Sequence, residues 1–231
     1  MASVPHTLRM IPLFNDLDDE TVLSIDRRCL WIHYAPLQTI IEQDDGSRDI
    51  LFVTQGFARV IIYAPSGAVV SFRDIAAGTF IGELAAIDGR PRSASVEAID
   101  TTVAGRMAAE HFHHVLASHP AVSMALIKHM AQAIRGLTER VYEFSTLAVR
   151  NRIQAELLRL GRPDPAKPNE YLIDPAPTHG EFASRVSSHR EAVTRELNRL
   201  ERLGILDRRA RSLRILDLPR LARLVREAAE E

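Results

Sequence analysis

The chain has 231 residues, of which 46% are hydrophobic and 26% are charged, and its formal net charge is −1. These values are typical of a globular protein with one large or two small domains, and they exclude a disordered or fibrous chain. No segment approaches the roughly 20 apolar residues of a membrane helix, and the N-terminal residues lack the apolar segment of a signal peptide, so we expect a cytoplasmic protein that does not bind a membrane. The single cysteine, Cys29, excludes an internal disulfide, a CxxC redox pair and a four-cysteine metal cluster.

Charge is distributed unevenly along the chain. Residues 1–148 carry 12 basic and 17 acidic side chains, a net charge of −5, whereas residues 149–231 carry 17 basic and 13 acidic side chains, a net charge of +4. A basic C-terminal part is compatible with nucleic-acid binding, although arginine-rich solvated helix faces have the same composition. Charge alone leaves both interpretations open.

The first half of the chain has the pattern of a β-domain that follows a short helix near residues 18–28. Between residues 31 and 107, short runs rich in valine and isoleucine are separated by turn residues at a spacing of roughly 8–12 residues. The runs are residues 39–41, 50–53, 58–63, 68–72, 93–99 and 101–107. This pattern predicts an antiparallel sandwich or barrel.

The stretch FIGELAAIDGRPRSA (80–94) places Glu83 nine positions before Arg92. The pair is compatible with a catalytic site, a structural ion pair or a socket for a small anion. For a socket, Gly82 allows close approach of the backbone, the amides of Glu83, Leu84 and Ala85 supply N–H donors, and Arg92 supplies charge. A carboxylate repels an oxyanion but accepts a hydrogen bond from a hydroxyl beside it, so this set suits a ribose cyclic phosphate.

The sequence supports a metal site or an enzyme active site less well than it supports a site for a ribose cyclic phosphate. The cluster of His111, His113, His114 and His119 has only Glu110 as a nearby acidic ligand, so we interpret it as part of a surface helix rather than a metal site. The chain has no GxSxG, P-loop, HExxH or GxGxxG motif, and the sequence indicates no catalytic partner for Cys29. We therefore expect no catalytic residues, no metal and no enzyme activity.

A single long helix is predicted from Pro120 to about residue 148. Apolar residues recur at alternating steps of three and four, which is the spacing of a coiled-coil seam. The seam consists of Ile127, Met130, Ile134, Leu137, Val141, Phe144 and Ala148. We expect residues 127–148 to form a dimer interface; the alternative is that the stripe packs on the chain's own β-domain.

The C-terminal part has the pattern of a small helical domain. A helix over 150–160 stops at Gly161, and a proline-rich loop follows over 162–177. Thr178 with Glu181, and Ser188 with Glu191, both match the S/T-x-x-E capping box, which predicts two helices with a tight turn near Ser187. This arrangement is typical of a helix-turn-helix.

The second of these helices has one apolar and one charged face. Its inward residues are predicted to be Val193, Leu197 and Leu200, and its outward residues Glu191, Arg195, Asn198 and Arg202. Arg190 lies in the first turn, where its side chain can reach past the end of the helix. An exposed set of two arginines and a glutamate suits the base edges of the DNA major groove. The segments ILDRR and SLRIL after Gly204 predict a β-hairpin wing. A solvated helix pair used only for packing is the alternative.

Two motifs of the chain resemble those of one protein family and follow one another in the order found in that family. GTFIGELAAIDGRPRSASVEA is similar to the phosphate-binding cassette of cyclic-nucleotide-binding domains, and THGEFASRVSSHREAVTREL is similar to the helix-turn-helix of the bacterial cyclic-AMP receptor protein/fumarate-nitrate regulator (CRP/FNR) family. The resemblance covers nearly the whole chain. It implies an α+β fold with a jelly-roll-like antiparallel β-roll that binds the nucleotide (1–119), a long dimerisation helix (120–148) and a winged helix-turn-helix domain (149–231).

The resemblance also implies roles for residues of the nucleotide site. Glu83 would bind the ribose 2′-hydroxyl, Arg92 the cyclic phosphate, and Ser93 would donate its hydroxyl to the phosphate. The family places two adjacent hydroxyl residues of the long helix against the base, where this chain has Leu137 and Thr138. Because only Thr138 retains a hydroxyl, the choice between cyclic AMP and cyclic GMP stays open. Either nucleotide would act as an allosteric ligand, and no other cofactor is implied.

For DNA binding, the resemblance implies that Arg190, Glu191 and Arg195 read bases of a palindromic operator with GTGA-like half-sites. Thr178 and His189, which precede the two helices, are further candidate DNA contacts. A homodimer that also contacts RNA polymerase is implied, with a hinge near residues 148–150 that responds to nucleotide. Two alternatives remain open: a vestigial cassette with DNA binding that needs no nucleotide, and a nucleotide-binding adaptor whose C-terminal helices bind protein.

Overall fold

The computed structural model describes residues 7–63, 69–167, 169–209 and 211–227. The chain divides into two compact units, residues 1–133 and 134–231. The boundary between them lies within the long helix α4 (Pro120–Thr146). Among the described residues, none of the helices combines the length and the hydropathy that crossing a bilayer requires.

The first unit consists of two four-stranded antiparallel sheets with flanking helices. One sheet has the order β1-β8-β3-β6 and the other has the order β2-β7-β4-β5. The strands are β1 (Leu30–Tyr34), β2 (Thr39–Ile41), β3 (Ile50–Gln55), β4 (Phe57–Tyr63), β5 (Val69–Ala76), β6 (Thr79–Ile81), β7 (Ser95–Ala98) and β8 (Thr102–Met107). The helices are α1 (Asp19–Asp26), α2 (Glu83–Asp88), α3 (Ala109–Ser118) and the first part of α4, preceded by two short 3-10 turns, Leu8–Met10 and Pro12–Phe14.

This arrangement confirms the predicted antiparallel β-domain. Each of the six runs overlaps a strand, although residue 68 of the run 68–72 lies outside the described residues. Strands β1 and β6 were not predicted, because LWIHY and TFI are too short or too mixed in polarity to give a period-two signal. His111, His113 and His114 are exposed on helix α3, as expected, whereas His119 follows the end of this helix.

The core of the first unit lies between the sheets and under the helices. Phe52 of β3 packs against Phe14 and Phe112, with ring centroids 5.3 and 6.4 Å away. All three rings are fully buried, and each buried aromatic side chain stabilises the fold by about 1.5–3 kcal/mol. Trp31 lies over Gly105, where an added Cβ would be only 2.9 Å from the indole ring. Glycine is therefore needed at that position of β8 to make room for the indole.

Helix α4 confirms the predicted long helix and corrects two members of its seam. Met130 packs against the core of the first unit, as the alternative interpretation expected for the whole stripe. Ala148 lies outside α4, which ends at Thr146, and precedes the next helix instead. The other seam residues are exposed: Ile127 59%, Ile134 61%, Leu137 53%, Val141 65% and Phe144 39%.

The second unit contains α5 (Val149–Leu160), α6 (His179–Arg185), α7 (Arg190–Arg202) and α8 (Leu218–Glu227) around a four-stranded sheet of order β11-β12-β10-β9. Its strands are β9 (Arg162–Pro163), β10 (Tyr171–Ile173), β11 (Leu206–Arg208) and β12 (Leu213–Ile215). The antiparallel pair β11–β12 confirms the predicted wing, with Ala210 at its tip outside the described residues. Strands β9 and β10 fall in the proline-rich stretch and were not predicted.

One of the two predicted capping boxes is correct and the other is wrong. Thr178 accepts from the Glu181 amide, and Glu181 accepts from the Thr178 amide, so the box at the start of α6 is complete. The N-cap of α7 is His189 rather than Ser188, and it makes no side-chain cap bond. Ser188 belongs to the preceding turn, because its amide bonds to the Ala183 carbonyl at 2.9 Å.

Candidate nucleotide-binding and DNA-binding sites

The cassette is a strand–glycine–helix unit in the first unit of the chain. Strand β6 ends at Ile81, Gly82 has φ +81°, and α2 starts at Glu83. The first main-chain bond of the helix runs from the Ala86 amide to the Gly82 carbonyl, so the amides of residues 83–85 precede the helical bonding pattern. A Cβ at position 82 would lie 2.4 Å from Nη1 of Arg92. Glycine is required there both by the left-handed backbone and by the arginine.

Arg92 is buried beneath this turn, with only 3% of its surface exposed. Its Nε donates to the Ser47 hydroxyl at 3.1 Å, Nη1 to the Gly82 carbonyl at 3.1 Å and Nη2 to the Asp49 carbonyl at 2.7 Å. Burial lowers the pKa of Arg92, whereas the charges of Asp49 and nearby carboxylates oppose that shift. The structure thus places a fully buried cation directly beside Gly82.

Glu83 is the first residue of α2 and is half-buried beside Arg92. Its charge favours the charged form of Arg92 and also that of His129 on α4. Burial lowers the pKa of His129, Glu83 opposes that effect, and Arg73 adds to it. The His129 ring lies 4.6 Å from the ring of Phe80. Sequence reasoning missed His129 because it lies 46 positions from Glu83 along the chain, with no motif to connect them.

The remaining predicted nucleotide contacts differ in exposure. Ala85 is buried, whereas Leu84 and Ser93 are exposed. Leu137 and Thr138 lie on α4 in the second unit, and both are exposed. The Thr138 hydroxyl donates to the Ile134 carbonyl of its own helix at 3.0 Å. The structure therefore brings Gly82, Glu83 and Arg92 together, and the roles of the other residues stay predictions.

Helices α6 and α7 form the predicted helix-turn-helix. Ser187, between the helices, has φ +47°, and this left-handed residue reverses the chain. The three apolar residues of α7 face inward with at most 1% exposure, namely Val193, Leu197 and Leu200. Arg190, Glu191 and Arg195 are exposed, and within the described ranges no ion pair involves them. Their charges are directed to solvent.

The ends of the two helices add further polar groups. Thr178 and His189 are both exposed N-cap residues. His179, the first residue of α6, approaches the Thr194 hydroxyl with its Nδ1 at 2.8 Å. Burial lowers the pKa of His179, and the charges of Arg208 and Arg190 lower it further. Sequence reasoning missed this cationic neighbourhood, because Arg208 comes from the wing and reaches His179 only through the fold.

Comparison with known proteins identifies both parts of the chain. Residues 31–119 match the family model of the cyclic nucleotide-binding domain, and residues 151–224 match that of the Crp-like helix-turn-helix domain. The chain belongs to the CRP/FNR family. The fold predicted from the sequence is confirmed: this CRP/FNR protein has an antiparallel β-domain, a long helix and a C-terminal helix-turn-helix.

Two relatives match most of this CRP/FNR chain, one in sequence and one in fold. The cAMP-activated global transcriptional regulator CRP of Salmonella typhimurium is 25% identical, over 78% of this chain and 86% of its own length. A structure of a CooA mutant from Carboxydothermus hydrogenoformans has a TM-score of 0.76 at 18% identity, covering 94% of this chain and 95% of its own. The expectation that the chain is not an enzyme agrees with the name of the CRP relative.

A third relative matches a shorter part of the chain at higher identity. An uncharacterized NTE family protein of Mycobacterium tuberculosis is 33% identical over 132 residues, which are 55% of this chain. The match spans only 21% of the length of that protein. The likeness to this relative therefore concerns one region of a much longer chain.

Proposed function

We propose that the protein is a homodimeric transcription regulator whose binding to double-stranded DNA responds to a cyclic nucleotide, cyclic AMP or cyclic GMP. One observation carries the proposal: where α2 begins, the buried guanidinium of Arg92 donates to the Gly82 carbonyl, and the half-buried Glu83, whose charge acts on Arg92, is the next residue. A cation for a phosphate and an acceptor for a neighbouring hydroxyl form the pair that a ribose cyclic phosphate requires. As a DNA-binding regulator, the protein would act in the cytoplasm.

In the proposed complex, Arg92 and the amides of residues 83–85 bind the cyclic phosphate. Three guanidinium N–H groups donate to protein oxygens, and a guanidinium has further N–H groups that remain for the ligand. The charge of Glu83 keeps the phosphate on the Arg92 side, while its oxygens accept the ribose hydroxyl. Ser93 adds a hydroxyl donor, and Leu137 and Thr138 remain the proposed base contacts.

The proposed DNA contact is the exposed start of α7. Arg190 and Arg195 each present a guanidinium that can bond a guanine edge with two hydrogen bonds, and Glu191 can accept from the N4 amino group of cytosine. Thr178 and His189 are placed at helix N-termini, where phosphates bind. Support comes from the exposure of the charged side chains and the complete burial of the opposite face of α7. We propose a palindromic operator with GTGA-like half-sites.

The exposed seam of α4 supports a dimer. Ile134, Leu137 and Val141 expose more than half of their surface in one helical stripe. A stripe with this spacing is suited to a second copy of the same helix, which would cover it by knobs-into-holes packing. Two-fold symmetry of such a dimer would match the two-fold symmetry of a palindromic operator. Contact with RNA polymerase stays a prediction.

The nucleotide response would be a population shift. A ligand changes DNA affinity only if it binds the DNA-competent conformation more tightly than the other conformation. Anisotropy of a labelled palindromic duplex, selected by the protein from a random pool, measures this directly. Each titration is made without nucleotide, with saturating cyclic AMP and with saturating cyclic GMP. Tighter binding with one nucleotide is expected, and equal affinity in all three titrations would contradict the proposal.

A matched variant separates the two sites in this experiment. Arg195→Ala is expected to weaken duplex binding and reduce its salt dependence, because an arginine contact to DNA is lost. The variant should bind nucleotide in calorimetry as the parent does, since Arg195 and the cassette belong to different units. If C-terminal helices instead bind a protein partner, duplex binding by the parent would show no steep salt dependence.

DNA binding without nucleotide is the second candidate function. It is favoured by the three bonds that Arg92 makes to protein oxygens and by the apolar Leu137 at a position where the family has a hydroxyl. Calorimetry distinguishes the candidates: this second function predicts no heat of binding with either nucleotide, together with normal binding to the selected duplex.

A further inference from the structure

A buried carboxylate in the second unit lies among arginines from three helices. Glu156 of α5 is 1% exposed. Its Oε2 is 3.6 Å from Nη2 of Arg140 on α4, and its Oε1 is 3.6 Å from Nη1 of Arg185 on α6. Oε2 also accepts a hydrogen bond from Arg159 of the same helix. One acidic side chain thus connects the long helix with the first helix of the helix-turn-helix.

Arg140 makes a second contact that has a definite geometry. Its Nη2 donates to the main-chain carbonyl of Arg185 at 3.0 Å. Arg185 is the last residue of α6, where carbonyl groups lack helical partners and a cation is favoured by the helix dipole. Arg140 therefore serves as a side-chain cap on α6, two residues before the left-handed Ser187 that leads to α7.

The helical turn that carries Arg140 also carries exposed apolar residues of the seam. Leu137 and Val141 expose 53% and 65% of their surface, whereas the side chain of Arg140 is only 20% exposed. Different faces of α4 therefore carry the exposed seam and the cap on α6. Because an α-helix transmits rotation and translation along its length, a change at the seam would displace the Arg140 cap as well.

Charge balance indicates that Arg140 is not needed to neutralise Glu156. Arg159 pairs with both Glu156 and Glu143, and Arg185 lies 3.6 Å from Glu156, so two arginines already balance the two carboxylates. Arg140 is the cation of this cluster that comes from α4. Burial lowers the pKa of Arg140, with Glu156 opposing that effect, so placing the guanidinium here has a desolvation cost. The hydrogen bond from Arg140 to the Arg185 carbonyl of α6 offsets this desolvation cost.

We propose that Arg140 is a positioning residue for DNA recognition: it holds α6, and through it α7, at a fixed place on the dimer helix. This inference rests on the proposed dimeric DNA binding. In a dimer, the two α7 helices must match two half-sites at one separation. Loss of the cap would leave each helix-turn-helix intact but would free its position. The expected signature is a weaker preference for one spacing between half-sites.

The test compares the full-length parent with Arg140→Gln on a series of duplexes. All duplexes carry the same two half-sites, with spacers two base pairs shorter than, equal to and two base pairs longer than the best one. A further duplex carries one half-site. Arg140→Gln should lose about tenfold in affinity for the best spacer, or about 1.4 kcal/mol. It should lose less than about twofold for the single half-site, so the spacing preference shrinks.

Two further variants give the controls. Arg135→Gln makes the same substitution at an exposed position of α4 and should keep the parent's spacing preference. Arg140→Lys keeps a cation that can donate to the Arg185 carbonyl, so it should restore part of the preference and serves as the test protein if Arg140→Gln does not fold. An unchanged spacing preference in folded Arg140→Gln overturns the inference. Equal losses on all duplexes also overturn it, because they indicate a damaged helix-turn-helix.

Amide hydrogen exchange without DNA distinguishes failure of this inference from failure of the proposed function. Arg140→Gln should accelerate exchange in residues 179–188, whose last helical turn loses its cap, while exchange in α7 changes less. If the parent binds no duplex, DNA recognition is the wrong function, and unchanged exchange in residues 179–188 would then also refute the positioning role.

Discussion

Arg92→Ala removes the buried cation of the cassette and has two separable consequences. The substitution leaves the carbonyl groups of Gly82 and Asp49 without the donors that now lie 3.1 and 2.7 Å from them. The Gly82 carbonyl keeps its hydrogen bond from the Ala86 amide. The Asp49 carbonyl loses its Arg92 donor, and an unsatisfied buried acceptor costs about 1–3 kcal/mol, so we expect the free energy of unfolding of the first unit to fall by about 1–3 kcal/mol. Many domains tolerate such a loss, since they are stable by about 5–15 kcal/mol.

The effect on nucleotide binding should be equally large. A charge-assisted bidentate contact to phosphate is among the strongest hydrogen-bonded pairs, and neither Ser93 nor the amides of α2 carry a full positive charge. We expect Arg92→Ala to weaken the binding of cyclic nucleotide by at least about 100-fold, or about 2.7 kcal/mol. The dimer should persist, because Arg92 is not part of the exposed seam of α4.

Two measurements keep stability and binding apart. Trp31 is the only tryptophan of the chain and lies in β1 of the first unit, so its fluorescence during urea titration reports the unfolding of that unit. Isothermal titration calorimetry is then made at a temperature where the fluorescence shows a folded protein. Arg48→Ala is the matched control, because the exposed Arg48 lies near Gly89 of the same cassette but makes no hydrogen bond or ion pair within the described ranges.

The outcome that refutes the assignment is specific. If folded Arg92→Ala binds cyclic nucleotide as tightly as the parent, the phosphate does not bind at Arg92. A loss of affinity that Arg48→Ala shares would refute it too, because general positive charge around the cassette would then explain the binding. A large loss of affinity in Arg92→Ala alone is the expected result.

Three further predictions follow from the helices. Glu191→Ala should relax discrimination at one base pair by about 1–3 kcal/mol, measured by competition with single-base operator variants; it should not unfold α7, because Glu191 forms no capping box. Val141→Glu should shift the protein from dimer to monomer in sedimentation velocity, since it places a charge in the exposed seam. Burial lowers the pKa of His129, so the folded state favours its neutral form. The first unit should therefore lose stability as the pH falls below about 6.5, where the unfolded chain binds a proton more readily. His129→Gln should reduce that loss, measured by the unfolding of the first unit, followed by Trp31 fluorescence, at several pH values.

Much of the fold was predictable because its signals are local. Period-two runs of valine and isoleucine predicted the β-domain, alternating steps of three and four predicted α4, and the Thr178–Glu181 box marked the start of α6. Each signal depends on residues within about two turns or one strand. The box at Ser188 failed because the Ser188 amide bonds to the Ala183 carbonyl, which keeps Ser188 in the turn, and the helix starts one residue later; the S/T-x-x-E pattern does not contain this bond.

The sequence by itself determined the kinds of chemistry present: an arginine and a glutamate around glycines in the cassette, and two arginines with a glutamate at the start of α7. Only the tertiary structure decided which groups surround them. Arg92 bonds to Ser47, 45 positions away, and Arg140 caps α6 at Arg185, also 45 positions away. Hydrogen bonds and ion pairs depend on distance in space, and no periodicity of the chain encodes which distant residue comes within about 3 Å.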